Sequence, residues 1–204
     1  MQPTQSLPPG YHSIGSIDLK NNLRAILWLN LAGLGLFGVA GWAFTQALYL
    51  LRPTEAGVGL ANALNFRGIS EILQSVLAFV VLYILMIVVH EAFHGLFFWI
   101  FTRQRPVFAL SWAYAYAAAP GWYLPRNQYF VTAVAPLVGI SLLALLVLAF
   151  APPAWFLPAL VVAVSNFAGA VGDIWVMIWL LRQPRTCYAQ DRGDAVTLYL
   201  PKME

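Results

Sequence analysis

Four stretches of this chain, near residues 25–51, 72–101, 129–151 and 154–181, are each apolar for longer than the hydrocarbon core of a bilayer is thick. At 1.5 Å of rise per residue, about 20 helical residues cross roughly 30 Å. In lipid an extended backbone leaves its N–H and C=O groups without partners, so runs of this length close their hydrogen bonds internally as helices. Only 9% of the 204 residues are charged, against about 25% in soluble domains. That is too few to cover a surface that faces water. The expectation is an all-α polytopic membrane protein: a single membrane-embedded domain over 1–204, with four transmembrane helices and a tail at 182–204.

The eleven Lys and Arg residues divide unevenly between the two sides that four spans define. Lys20, Arg24, Arg103, Arg105, Arg126, Arg182, Arg185, Arg192 and Lys202 fall on one side, Arg52 and Arg67 on the other. Cytosolic loops retain basic residues, so both termini are expected in the cytosol. The same distribution, beside apolar runs and with a net charge of only +3, explains the basic balance without a nucleic-acid partner. Cys187 is the single cysteine, which excludes an internal disulfide and leaves His, Asp or Glu as the available metal ligands. Between the second and third runs, residues 107–129 alternate Trp112, Tyr114 and Tyr116 with small residues and then reach Pro120-Gly121. Period-2 alternation predicts a short cytosolic-side strand or hairpin, although an interfacial aromatic belt has the same composition.

Ionisable side chains within spanning segments are costly and mark function. Here they are His90, Glu91 and His94 in the second run and Asp173 in the fourth. His90-Glu91-Ala92-Phe93-His94 is an H-E-x-x-H pattern. Positions i and i+4 share a helix face, so both imidazoles can address one metal ion while Glu91 lies in reach of the water that the ion activates. A catalytic zinc needs one more protein ligand and an open position. Counted along the second and fourth spans, which both run from outside to inside, His90, His94 and Asp173 all lie roughly 10–16 Å from the cytosolic boundary. Asp173 is therefore the expected third ligand. Asn166, seven residues before Asp173 and on the same helix face, is expected either to donate a hydrogen bond to the developing oxyanion or to serve as a polar tie between helices. Two classes of function remain open at this point: a zinc peptidase, and a non-catalytic zinc carrier or binder of membrane segments.

The H-E-x-x-H run in one span, Ala135-Pro136 in the next, and Asn166 to Gly172-Asp173 in the last resemble the three-helix core of site-2 protease-type intramembrane metalloproteases. More closely, over roughly residues 72–195, the chain resembles small bacterial membrane proteins classed as putative zincin peptidases. The resemblance implies zinc on His90, His94 and Asp173 with Glu91 as catalytic acid and base. It also implies residence in the bacterial inner membrane and a membrane-protein or membrane-proximal peptide as substrate. It says nothing of the oligomeric state.

Overall fold

The structure, a computed structural model, describes residues 1–18, 22–110 and 115–202. Trp112 and Tyr114 of the expected alternation therefore lie outside the described residues. In chain order the elements are β1 (Tyr11–Asp18), α1 (Leu23–Leu51), α2 (Ala56–Ala63), α3 (Ile69–Thr102), β2 (Val107–Leu110), β3 (Ala115–Ala118), β4 (Tyr123–Pro125) and α4 (Arg126–Phe150). A single 3-10 turn at Pro153–Trp155 follows, then α5 (Phe156–Gly169), α6 (Val171–Leu181), β5 (Tyr188–Asp191) and β6 (Ala195–Pro201).

Two expectations need correction. The chain is not all-α, because its described residues include six strands in two sheets. Nor does the fourth apolar run form one continuous helix. Three helices, α1, α3 and α4, are each long and apolar enough to cross a membrane, and a fourth span exists only if the interrupted pair α5 and α6 is counted as one. The interruption falls at Ala170, whose N–H still donates to the Asn166 carbonyl. Gly169 and Gly172 flank it, and glycine is among the weakest helix formers. One consequence is chemical: Asp173 now sits in the first turn of a new helix, where the N-terminal end of the helix dipole favours a carboxylate.

The chain divides into two compact units. One comprises Leu31–His90 and Leu137–Val171. Its core is a helical seam in which Ala40, Phe44 and Leu48 of α1, spaced four apart, meet Ala144 and Leu148 of α4 and Phe156, Leu160 and Ala163 of α5. The end of α1 is pinned by Arg52, which pairs with Glu55 and donates to the carbonyls of Ala149 and Ala151. The Ala149 carbonyl is one that α4 cannot satisfy itself, because the residue four positions on is Pro153, which has no N–H.

The other unit comprises Met1–Asn30, Glu91–Pro136 and Gly172–Glu204. It contains an antiparallel sheet in the order β1-β6-β5-β4, with Tyr11 opposite Pro201 and Tyr188 opposite Tyr199. Phe98, Tyr129, Leu180, Cys187 and Leu198 form its core. Arg126 caps α6 by donating to the Leu180 and Leu181 carbonyls, at 2.7 and 3.2 Å. A separate antiparallel pair, β2 with β3, is the hairpin expected from the 107–129 loop. Pro120-Gly121 forms the expected turn, with Gly121 at φ 80° and the Trp122 N–H donating to the Ala119 carbonyl. The Asp191-Arg192-Gly193-Asp194 segment is the β5–β6 turn. Gly193 takes φ 89°, and its N–H donates to Asp191 Oδ1 at 2.7 Å.

Cys187 is fully buried in this core. Burial pushes its thiol from 9.0 up to about 11, against the smaller opposing effects of the Tyr199 backbone and the Arg126 charge. The native state therefore holds this proton more tightly than the unfolded chain does, so stability conferred by the neutral thiol is present below pH 9 and lost as pH rises from about 9 to 11. Iodoacetamide at pH 8 should leave Cys187 unmodified in the folded protein and modify it within minutes after denaturation. Rapid labelling of the folded protein would contradict the burial.

Candidate metal centre

The site starts from helix α3, which runs unbroken through residues 69–102 and so carries His90 and His94 one turn apart on one face. Both imidazoles are buried, at 8% and 9% exposure, in a helix whose other side chains are mostly exposed aliphatics and aromatics. Such a position leaves each ring needing a defined partner for both nitrogens.

Each ring has its Nδ1 committed. His90 Nδ1–H donates to Asn166 Oδ1 at 2.9 Å. His94 Nδ1–H donates to the Thr132 carbonyl, also at 2.9 Å. Both partners are acceptor oxygens, so the proton of each neutral imidazole sits on Nδ1 and the lone pair on Nε2. Asn166 is completely buried and Thr132 nearly so, at 0% and 1% exposure, which makes these hydrogen bonds expensive to lose. His94 Nε2 lies 3.3 Å from Asp173 Oδ1. One ligand atom each from His90, His94 and Asp173 lies within 4.8 Å of the others.

That donor set fits zinc. Two imidazole nitrogens and one carboxylate oxygen converge, and each imidazole is oriented by a hydrogen bond from its other nitrogen, as is usual for metal-bound histidine. The Asp173 side chain is twice as exposed as that of His94, 22% against 11%. Glu91 is partly buried, directly after His90 on α3.

Asn166, expected either to donate to the oxyanion or to tie helices together, has its side-chain oxygen 2.9 Å from His90 Nδ1. Thr132 was not anticipated from the sequence at all. It stands in the first turns of α4, where its hydroxyl also donates back to the Gln128 carbonyl at 3.0 Å. A turn earlier, the buried Tyr129 packs its ring at 6.2 Å from that of Phe98, and its hydroxyl donates to Asp191 Oδ2 at 2.6 Å. Burial pushes the Asp191 carboxyl up, opposed by the Tyr129 hydroxyl and the Gly193 amide.

The hairpin sits beside the same stretch of α3. Gly95 follows His94, and a side chain there would overlap the Phe108 ring of β2. The absence of a Cβ is thus what lets the strand approach the helix next to the histidine. On the other strand, Tyr116 of β3 lies against Gly193 of the β5–β6 turn just as closely.

The family described as Putative zincin peptidase matches residues 83–188, just over half of the chain. No curated protein and no solved structure matches. The matched segment contains all five of the residues expected to act in the site, together with Thr132 and the whole hairpin.

Proposed function

This chain belongs to the putative zincin peptidase family, and on that premise we propose that it is a zinc-dependent peptidase that hydrolyses peptide bonds within or beside the membrane. His90, His94 and Asp173 hold the metal and Glu91 is the general base. One observation carries the reading: both histidines are fixed through Nδ1 by buried oxygens, with a ligand atom of Asp173 close to a ligand atom of each. Imidazoles serving only as core polar groups have no need of a shared carboxylate.

Zinc in this position would supply a Lewis acid that polarises the scissile carbonyl and lowers the pKa of water. Glu91 takes a proton from the attacking water and returns it to the departing amine nitrogen. Asn166 and Thr132 hold the imidazoles against rotation, so that both keep their Nε2 lone pairs facing the same point.

A helical substrate shields its carbonyls, so a spanning segment must unwind before attack, and its freed backbone then needs pairing partners. The β2–β3 hairpin, with Val107, Phe108 and Leu110 exposed and Phe108 resting on Gly95, is suited to pair with an extended membrane-protein or membrane-proximal peptide by strand addition. The distribution of Lys and Arg supports both termini in the cytosol, and the family resemblance supports a location in the bacterial inner membrane. The test is direct. Purified protein in detergent should contain about one zinc per chain and cleave members of a panel of labelled membrane-segment peptides, with activity lost to a chelator and restored by zinc. Stoichiometric zinc without cleavage of any peptide would overturn the peptidase reading.

A further inference from the structure

Helix α4 contains an internal proline, Pro136, and its position relative to Thr132 is four residues. In an α-helix the carbonyl of residue i−4 accepts from the N–H of residue i. Proline has no N–H. The carbonyl that Pro136 releases is therefore that of Thr132, and that carbonyl accepts the Nδ1–H of His94 at 2.9 Å. Pro136 is also among the most deeply buried side chains of the protein. A proline inside a helix is normally disfavoured, so its presence here, one turn from the carbonyl that accepts from His94, calls for a cause.

We propose that Pro136 is a positioning residue for the metal centre: by withholding an N–H, it turns the Thr132 carbonyl from a helix acceptor into the acceptor that orients His94. With an N–H at position 136, the Thr132 oxygen would be drawn along the helix axis and its lone pairs shared. His94 would then have a displaced and weaker partner, and its Nε2 would be less well held toward Asp173. The inference rests on the reading of His94 as a zinc ligand and extends it to a residue that touches neither metal nor substrate.

The test is the full-length Pro136→Ala protein, which regains the N–H. Two readouts besides activity are used: zinc affinity by competition with a chromophoric chelator, and the visible spectrum of the protein loaded with cobalt(II) alone. Loss of an orienting partner of a metal-bound histidine typically weakens binding 10–100-fold, so an affinity reduced by about tenfold and a changed cobalt spectrum are expected. The unfolding temperature should be unchanged or higher, because the helix gains a hydrogen bond. A merely structural proline would give the opposite pattern, a lower unfolding temperature with affinity and spectrum unmoved, and that result would overturn the proposal.

A second variant separates the missing N–H from the missing ring. Lactic acid incorporated at 136 has the alanine side chain but an ester oxygen in place of N–H. It should restore the wild-type zinc affinity and cobalt spectrum. An ester variant as weak as Pro136→Ala would assign the effect to ring packing and overturn the proposal. Failure of the underlying reading looks different: the wild-type protein itself would then bind no zinc, or would bind it as well after His94→Ala.

Discussion

The Glu91→Gln protein is expected to hold zinc as tightly as the wild type and to hydrolyse peptides about 10²–10⁴-fold more slowly, the range by which a positioned general base contributes. The amide keeps the size and polarity of the carboxylate but cannot accept a proton. Because Glu91 stands outside the ligand group of His90, His94 and Asp173, metal content and turnover should separate cleanly in this variant. Zinc is measured by atomic absorption and turnover with the labelled peptides. Cleavage within a few-fold of wild type would remove Glu91 from the mechanism; concurrent loss of zinc would place it among the ligands instead.

Replacing a ligand should have the other large effect. His90→Ala, His94→Ala and Asp173→Ala are each expected to lose zinc by more than the 10–100-fold typical of an outer hydrogen-bonding partner, with Asn166→Ala falling inside that range. The ordering follows from the geometry. His90, His94 and Asp173 each offer one ligand atom within 4.8 Å of the others, whereas Asn166 meets the Nδ1 of His90. Competition with a chelator of known affinity ranks the four variants. An Asp173→Ala protein with full zinc content would show that the 3.3 Å contact with His94 is an ordinary acid–histidine pair. It would also leave the third ligand position to another group.

The interrupted fourth run shows how tertiary context alters a local pattern. Residues 154–181 are apolar enough to read as one span, and periodicity carries no mark of a break. Gly169, Ala170 and Gly172 are common in membrane helices for packing reasons, so they did not distinguish a break from a close contact. In the structure neither glycine has a neighbour within contact distance of a Cβ. Their role is to end one helix and start another, which gives Asp173 a helix N-terminus.

The sheet was illegible for a different reason. Tyr11–Asp18 and Ala195–Pro201 are short, and each looks like an unstructured tail when considered alone. Their pairing joins residues about 190 positions apart, and the Thr4 to Tyr123 bridge joins two others far apart in the chain. Thr132 was missed although a signal existed. A proline inside a spanning helix always frees the carbonyl four residues earlier, so Pro136 pointed to Thr132, but not to the group that would use it.

What the sequence alone determined was whatever a single helix encodes. The length of the apolar runs required membrane-scale helices, and the four-residue spacing of His90 and His94 placed both rings on one face of α3, because helical neighbours lie three and four residues apart. The 107–118 hairpin belongs to the same class, since its strands are joined by a short local connection. Only the tertiary structure decided which oxygen each imidazole would bind, where α5 would stop, and that the tails would form a sheet. Those choices link residues from 38 to about 190 positions apart, as in His94 with Thr132, His90 with Asn166, and Tyr11 with Pro201. A buried polar group must find a partner, but nothing local states which one; the partner is fixed when packed elements bring one acceptor within 2.9 Å and exclude water from the rest.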